Sequence, residues 1–375
     1  MAQYDVIVVG TGGVGSAALF HLARRGVRVL GLDRFAPGHD RGSSHGDTRV
    51  IRMSYFEHPD YVPLLRRSYL LWDELQELRR EELFVRAGLL YAGPESGPIV
   101  SGVRQSAQQH DLQVEALDRG AMQEHFPGFK ISDDAIALYE PNAGYLQVEK
   151  CVIAHIEEAV RFGAVHRTGE AVRGWERRAG RLEVDFGGEI YTADRLIVAG
   201  GAWSSGLLSA LGVPLRVLRK HLHWFEVDDP VYTRAGACPT FFFETPEGYF
   251  YGFPGMDAAG LKVSEHSGGA EIEDPLTDPR ELDEQDFKRV GSFLEKYLPG
   301  VSRRHSRHEV CFYTMSPDEH FIVDHDPEDA GIVFAAGLSG HGFKMTSVLG
   351  EVLAESVLDG GTQHDIDFLR LARLG

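Results

Sequence analysis

A strand that runs straight into a glycine-rich turn and a helix opens this chain, and no other feature constrains the fold as tightly. Tyr4-Asp5-Val6-Ile7-Val8-Val9 reads as a buried β-strand. Gly10-Thr11-Gly12-Gly13-Val14-Gly15 follows, then an amphipathic helix to Arg25, a second strand from Arg28 to Leu32, and Asp33. Strand, GxGxxG, helix, strand and acid in that order form the fingerprint of a dinucleotide site. Gly10 permits the tight turn, Gly12 lets the backbone approach a pyrophosphate, and Gly15 lets the helix pack on the strand. The helix N-terminus faces the anion, and Asp33 is placed to accept from a ribose hydroxyl. A bare GxGxxG is often an ordinary glycine turn; one flanked by both strands, the helix and the acid seldom is.

At 375 residues the chain exceeds what one simple core holds, so two intimately joined domains are expected. A net charge of −18 argues against nucleic acid and anionic membrane as partners. Any anion site must therefore be built locally against an unfavourable overall field. No stretch approaches the length needed to span a bilayer, and the first strand begins too near Met1 to leave room for a signal peptide. Cys151, Cys238 and Cys311 are widely separated and form neither CxxC nor a disulfide framework. That usage points to the reducing cytoplasm and to no metal site. Lysine is scarce, seven among 38 basic residues, so each lysine in a glycine-rich or aromatic setting draws attention.

Apolar residues from Tyr61 to Leu75 recur at helical spacing, and Val148 to Phe162 forms a second helical pattern. A meander follows: Val172–Glu176, Leu182–Phe186, a Gly187-Gly188 hairpin turn and Glu189–Ala193. Arg195 to Ala199 reads as a separate apolar strand ending in glycines, and residues 215–265 are rich in the aromatic and β-branched residues of antiparallel sheet. Ile332–Gly337 is a last strand, followed by a glycine loop and a helix to Leu358. The expected class is α/β: a discontinuous Rossmann-like domain (1–80, 148–215, 306–375) with an inserted antiparallel-sheet substrate domain (81–147, 216–305).

Four motifs, spread over the whole chain, carry a resemblance. They are the N-terminal fingerprint; Gly42-Ser43-Ser44-His45-Gly46-Asp47-Thr48-Arg49-Val50-Ile51-Arg52; Cys311-Phe312-Tyr313-Thr314 with Asp318 to Asp324; and Gly337-Leu338-Ser339-Gly340-His341-Gly342-Phe343-Lys344. Together they resemble FAD amine oxidases of the D-amino-acid-oxidase-like superfamily, in the sarcosine oxidase and N-methyltryptophan oxidase family. The resemblance implies a glutathione-reductase/D-amino-acid-oxidase-like fold and bound FAD, not NAD. It implies cofactor contacts from Gly10, Gly12, Gly13, Val14, Gly15, Asp33, Arg34, Ser43, His45, Thr48, Arg49, Val172, Gly201, Trp203, Gly340, Gly342, Phe343 and Lys344. Cys311, by itself an inert buried thiol, becomes the covalent link to the flavin.

By the same resemblance Arg52 and Lys344 clamp a substrate carboxylate, and Arg49 lies near the flavin. The RxxR spacing is that of one helical turn, which would put both guanidiniums on one side. Lys262, Ser264 and His266 alternate onto one strand face. Lys262 is the expected O2-activating cation on the flavin face opposite the substrate, and His266, Tyr251 and Tyr313 are expected pocket residues. Arg49, Lys262, His266 and Tyr313 thus form the candidate catalytic set. Phe242 and Ser264-Glu265 depart from the sarcosine oxidase pattern, while Ser316–Glu319 and His266–Gly269 are more similar to N-methyltryptophan oxidase. The expected activity is oxidation of a small N-methyl amino acid by O2 to the primary amino acid, formaldehyde and H2O2, in a monomeric enzyme. The alternatives are N-methyl-L-tryptophan or a cyclic imino acid as substrate, a flavin dehydrogenase using another acceptor, and a non-catalytic dinucleotide-binding regulator.

Overall fold

Val6, Ile7 and Val8 are fully buried because the strand Gln3–Val9 lies inside a sheet covered on both faces, which is why it reads as a continuous apolar run. The fold is seen in a computed structural model that describes residues 3–375, so the first two residues of the expected domain 1–80 lie outside the described residues. Gln3–Val9 pairs in parallel with Val29–Asp33 on one side and with Glu189–Val198 on the other. Val165–Thr168 and Ile332–Ala336 extend the parallel sheet outwards. Helices Gly13–Arg24, Val148–Arg161 and Thr346–Asp359 pack together, the first contacting both others closely.

Among the described residues the second sheet has nine strands. Arg216–Phe225 pairs antiparallel with His305–Met315 and with Leu261–Glu265, and the sheet continues through Gly248–Phe253 and Thr240–Thr245. It is not wholly antiparallel, because Thr240–Thr245 runs parallel to Leu89–Pro94. A small third sheet joins Thr48–Ile51 to Gly144–Gln147 and Phe84–Val85.

Three details differ from the sequence reading. Glu189–Ala193 and the strand after Arg195 are one ten-residue strand, Glu189–Val198. Its first half pairs antiparallel with Arg181–Phe186 while facing solvent on one side, and its second half is buried in the parallel sheet, so the pattern changes without a break. Residues 306–315, expected in the nucleotide domain, continue the strand His305–Met315 of the nine-stranded sheet. Thr48–Ile51 is a strand and not a helical turn.

Two helical glycines separate packing from propensity. A Cβ on Gly350 would stand 2.5 Å from Ala17 Cβ and 2.6 Å from Ala18 N, whereas one on Gly291 in helix Glu284–Tyr297 meets nothing within 4 Å. Gly350→Ala should therefore lower the thermal midpoint through overpacking worth about 1–3 kcal/mol. Gly291→Ala should raise it, by up to about 1 kcal/mol of stability. Parallel thermal melts of the two variants check both signs.

Candidate active site

The dinucleotide turn is built by steric necessity. Gly10 has φ +81°, and a Cβ there would lie 2.5 Å from the carbonyl oxygen of Ala199. A Cβ on Gly15 would lie 1.8 Å from the Gly10 carbonyl oxygen, so the first helix approaches the strand only because the side chain is absent. A Cβ on Gly12 would meet only Ser44 Oγ, at 3.7 Å, and the backbone there stays open to a cavity of about 760 Å³. Asp33 ties the turn together: Oδ2 accepts from Thr11 N at 2.6 Å and Oδ1 from Phe35 N at 2.9 Å. Its carboxylate still lines the cavity.

The cavity runs from this turn to a second group of side chains. Gly13, Val14, Arg34, Val172, Gly201 and Trp203 line it together with the turn, and Ser43, Gly340, Gly342 and Phe343 line it further along. Arg49, Arg52, Tyr251, His266, Tyr313 and Lys344 border its other part. Gly15, His45, Thr48, Lys262 and Cys311 do not line it. A volume of about 760 Å³ lies within the roughly 300–1,000 Å³ of ligand and cofactor pockets. Two buried polar atoms on its walls, Trp203 Nε1 and Thr314 Oγ1, have no partner among the described residues, as expected where a polar ligand supplies one. An extended dinucleotide cofactor fits these residues.

Cys311 lies directly behind the wall, in a cationic pocket. Arg49 donates to its Sγ at 3.1 Å, to Ser43 O at 2.9 Å and to Thr48 O at 2.8 Å. Burial opposes ionisation, yet the Arg49 guanidinium and the neighbouring His45 bring the Cys311 thiol down to about 6. Burial likewise opposes charge on His45, but the thiolate and Glu309 hold its imidazole up at about 9. His45 Nδ1 meets Glu309 Oε2 at 3.0 Å, and Arg307 joins Glu309 to Asp47. Cys151 and Cys238 sit in apolar surroundings, where burial pushes both thiols up.

The two arginines do not share a face. Arg49 lies on the strand Thr48–Ile51 and points to Cys311, while Arg52, just past the strand end, donates through Nη2 to both Glu57 carboxylate oxygens, at 2.6 and 2.7 Å, and through Nη1 to Ser54 O at 3.1 Å. The Arg52 guanidinium is stacked 4.4 Å from the Tyr55 ring centre and 4.1 Å from that of Phe56. Burial opposes charge on Glu57, but Arg52, with His341 and Lys344 adding, holds it down at about 2. Lys344 donates to His341 O at 2.5 Å, and burial, with Arg52 adding to it, lowers its ammonium to about 7. Glu140 pins the segment after Arg52, accepting from Met53 N at 2.7 Å, Ser54 N at 3.1 Å and Tyr91 OH at 3.1 Å.

Lys262 stands behind the loop 46–48 rather than in the cavity wall. Its Nζ donates to Gly46 O and, at 3.0 Å, to Thr48 O, with the Trp224 and Phe253 rings 5.3 and 5.0 Å away. Burial, with the Arg49 charge adding, lowers it to about 7. His266 Nδ1 meets Tyr313 OH at 3.2 Å, and burial keeps the imidazole neutral, down at about 3. Ser264, on the same strand face as Lys262, turns instead to His221 O.

Glu57, Glu140 and Glu309 escaped the sequence reading. Glu309 had a signal, since strand alternation sets Glu309, Cys311 and Tyr313 on one face. Glu57 and Glu140 had none, because each meets its partners only through tertiary contact. Among the described residues no three His, Cys, Asp or Glu side chains are grouped to hold a metal ion, and no helix is long and apolar enough to cross a membrane.

Residues 5–356 match the family described as FAD dependent oxidoreductase. The chain is 40% identical to monomeric sarcosine oxidase of Bacillus sp. (strain B-0618), over 99% of its own length and 96% of that protein's. It is 39% identical to N-methyl-L-tryptophan oxidase of Yersinia pestis (strain Pestoides F), over 99% of both chains. In fold it superposes on NikD, an unusual amino acid oxidase essential for nikkomycin biosynthesis (TM-score 0.86, 24% identity, 99% of this chain and 98% of that one). It also superposes on glycine oxidase from Geobacillus kaustophilus (TM-score 0.83, 20% identity, 100% and 99%).

Removing the Arg49 charge leaves Cys311 buried without its main support for ionisation. In protein prepared without flavin, wild-type Cys311 should react with a small thiol reagent as pH rises through about 6, because the depressed thiol ionises there. Arg49→Met should move that rise above the ordinary cysteine range. The pH-rate profile, read by mass spectrometry of the Cys311 peptide, checks the direction.

Proposed function

The chain belongs to the FAD dependent oxidoreductase family, and from that premise we propose that it oxidises the N-methyl group of a small secondary N-methyl amino acid. The products are the primary amino acid, formaldehyde and, from O2, hydrogen peroxide. The observation that carries the reading is the buried pair Arg52 and Lys344 in one cavity with the dinucleotide turn, two cations suited to a carboxylate beside a redox cofactor.

Gly10, Gly12, Gly13 and Asp33 would hold the ADP half of FAD, and Cys311, ionised near neutral pH, would anchor the ring covalently. Bound FAD supplies a two-electron acceptor that O2 can regenerate. Arg52 offers a carboxylate its guanidinium, whose Nη2 an incoming substrate would share with Glu57. Lys344, already desolvated, gains from an anion what burial took away. These cations also favour the neutral form of the substrate amine, whose lone pair drives loss of the hydride equivalent from the methyl carbon, so no protein base is required. His266, neutral and hydrogen-bonded to Tyr313, shapes the wall without adding charge. Lys262 supports a role as the fixed cation that stabilises the negative charge O2 acquires.

Phe56, Phe242, Tyr251 and His266 pack ring against ring, with Phe242 5.2, 6.3 and 5.4 Å from the others, which supports a small substrate side chain. Three free cysteines support a reducing cytoplasm, and relatives named as monomeric support a monomer. A peroxide assay across sarcosine, N-methyl-L-alanine, N-methyl-L-tryptophan and L-pipecolate tests the reading. Turnover of the first two should dominate; peroxide from none of the four would refute it.

Acid-precipitated protein should stay yellow, and a tryptic peptide containing Cys311 should carry the flavin mass; colour passing wholly to the supernatant would exclude the covalent link. Arg52→Ala should lose about 1.5–3 kcal/mol of binding to a buried anion, roughly ten- to hundredfold in kcat/KM. Lys262→Met should bleach with substrate under anaerobic conditions much as the wild type does, yet regain colour in air about 10²–10³-fold more slowly. Stopped-flow absorbance separates the two half-reactions.

A further inference from the structure

Three of the seven lysines, Lys220, Lys262 and Lys344, are buried, at 2%, 1% and 5% exposure. The reaction outlined above uses two of them and leaves Lys220 without a task. A buried ammonium is costly unless its N–H groups are met. Those of Lys220 are met by three consecutive backbone carbonyls: His266 O at 3.1 Å, Ser267 O at 2.6 Å and Gly268 O at 3.2 Å.

The segment so held is an unusual turn. Gly268 and Gly269 have φ +64° and +110°, and a Cβ on Gly269 would lie 3.1 Å from Lys220 Cδ, so the lysine stem and the turn are fitted closely. At the head of the turn His266 N donates to Tyr249 O at 2.6 Å, and the ring lines the cavity and meets Tyr313 OH at 3.2 Å. The Lys220 ammonium also sits 5.4 Å from the Tyr313 ring centre. Lys220 therefore touches both members of the His266–Tyr313 pair, the backbone of one and the ring of the other, without lining the cavity itself.

We propose that Lys220 is a positioning residue for the substrate pocket: its ammonium clasps the 266–268 carbonyls and so fixes the His266 ring against Tyr313. The proposal rests on the substrate reading above and extends it to a residue outside the cavity wall. The charge environment agrees with it. Burial lowers the ammonium to about 8, Glu265 and Asp286 pull it up, Arg289 pushes it down and Cys311 adds a small upward pull, so the cation persists at neutral pH. After burial itself, that same charge is the largest influence keeping His266 neutral.

A double-mutant cycle on the flavin-loaded enzyme tests this. Lys220→Met alone should raise KM for the preferred N-methyl amino acid roughly tenfold, and Lys220→Arg should recover most of it. In a His266→Ala background Lys220→Met should add less than about twofold, because the residue it acts through is gone. Hydrogen exchange of the holoenzyme should quicken at the 266–269 amides in Lys220→Met. Multiplicative losses in the double variant, or wild-type exchange across 266–269, would overturn the proposal. Should Lys220→Met not fold, Lys220→Gln, which keeps two N–H donors without the charge, enters the same cycle with the same expected coupling. If the wild type oxidises no N-methyl amino acid, the substrate reading fails first, and the exchange measurement still decides whether Lys220 holds the turn.

Discussion

Positive charge buried among backbone carbonyls is the interaction on which the rest of this site depends. Arg49 donates to two carbonyls and a thiol, Lys262 to Gly46 and Thr48, Lys344 to His341, and Lys220 to three carbonyls in succession. Arg52 differs in pairing with a carboxylate, Glu57, besides donating to Ser54 O. A chain of net charge −18 has carboxylates in excess, yet those near this region, Glu57, Glu309 and Asp47, pair with Arg52, His45 and Arg307 rather than with Arg49 or the three lysines. Carbonyl dipoles repay part of the desolvation cost and leave the net charge uncancelled. The positive field thus acts on the Cys311 thiol, and in the proposed reaction it would also serve a substrate carboxylate and the charge arriving on O2.

The sheets convert that field into position. The parallel sheet delivers the glycine turn and Asp33 to one part of the cavity, while the nine-stranded sheet carries Lys220, Lys262 and Cys311 on neighbouring strands behind the other. Lys220 is paired directly with Cys311 across two of those strands, and Trp224 with Lys262 across the next pair. The small sheet pairing Thr48–Ile51 with Gly144–Gln147 brings Arg49 and Arg52 between the two large ones. Glu140, on the strand Ala135–Glu140 of the nine-stranded sheet, then fastens the segment after Arg52.

The nucleotide half was legible in the sequence because its turn is set by local sterics: glycine alone satisfies the positive φ at position 10 and the close approach at position 15. Lys262, Lys344 and Cys311 were singled out through motif resemblance, and all three are buried, Lys262 and Cys311 within reach of each other's charge and Lys344 beside Arg52 and Glu57. What failed was whatever depended on a distant partner. The spacing of Arg49 and Arg52 suggested a helical turn, but the segment is extended because it pairs with residues about a hundred positions away. Glu57 and Lys220 show no local pattern, since an ion pair and a carbonyl clasp form only once the chain has folded. Lysine scarcity alone hinted at Lys220.

The central claim is that the cavity's cations are held ready for a substrate carboxylate, and a crystal structure of the flavin-loaded protein with acetate tests it most directly. The account predicts one acetate bound between the Arg52 fork and Lys344 Nζ, with the Arg52–Glu57 pair opened or shared. Acetate absent from that position under saturating conditions, with both Glu57 oxygens still on Arg52 Nη2, would contradict it.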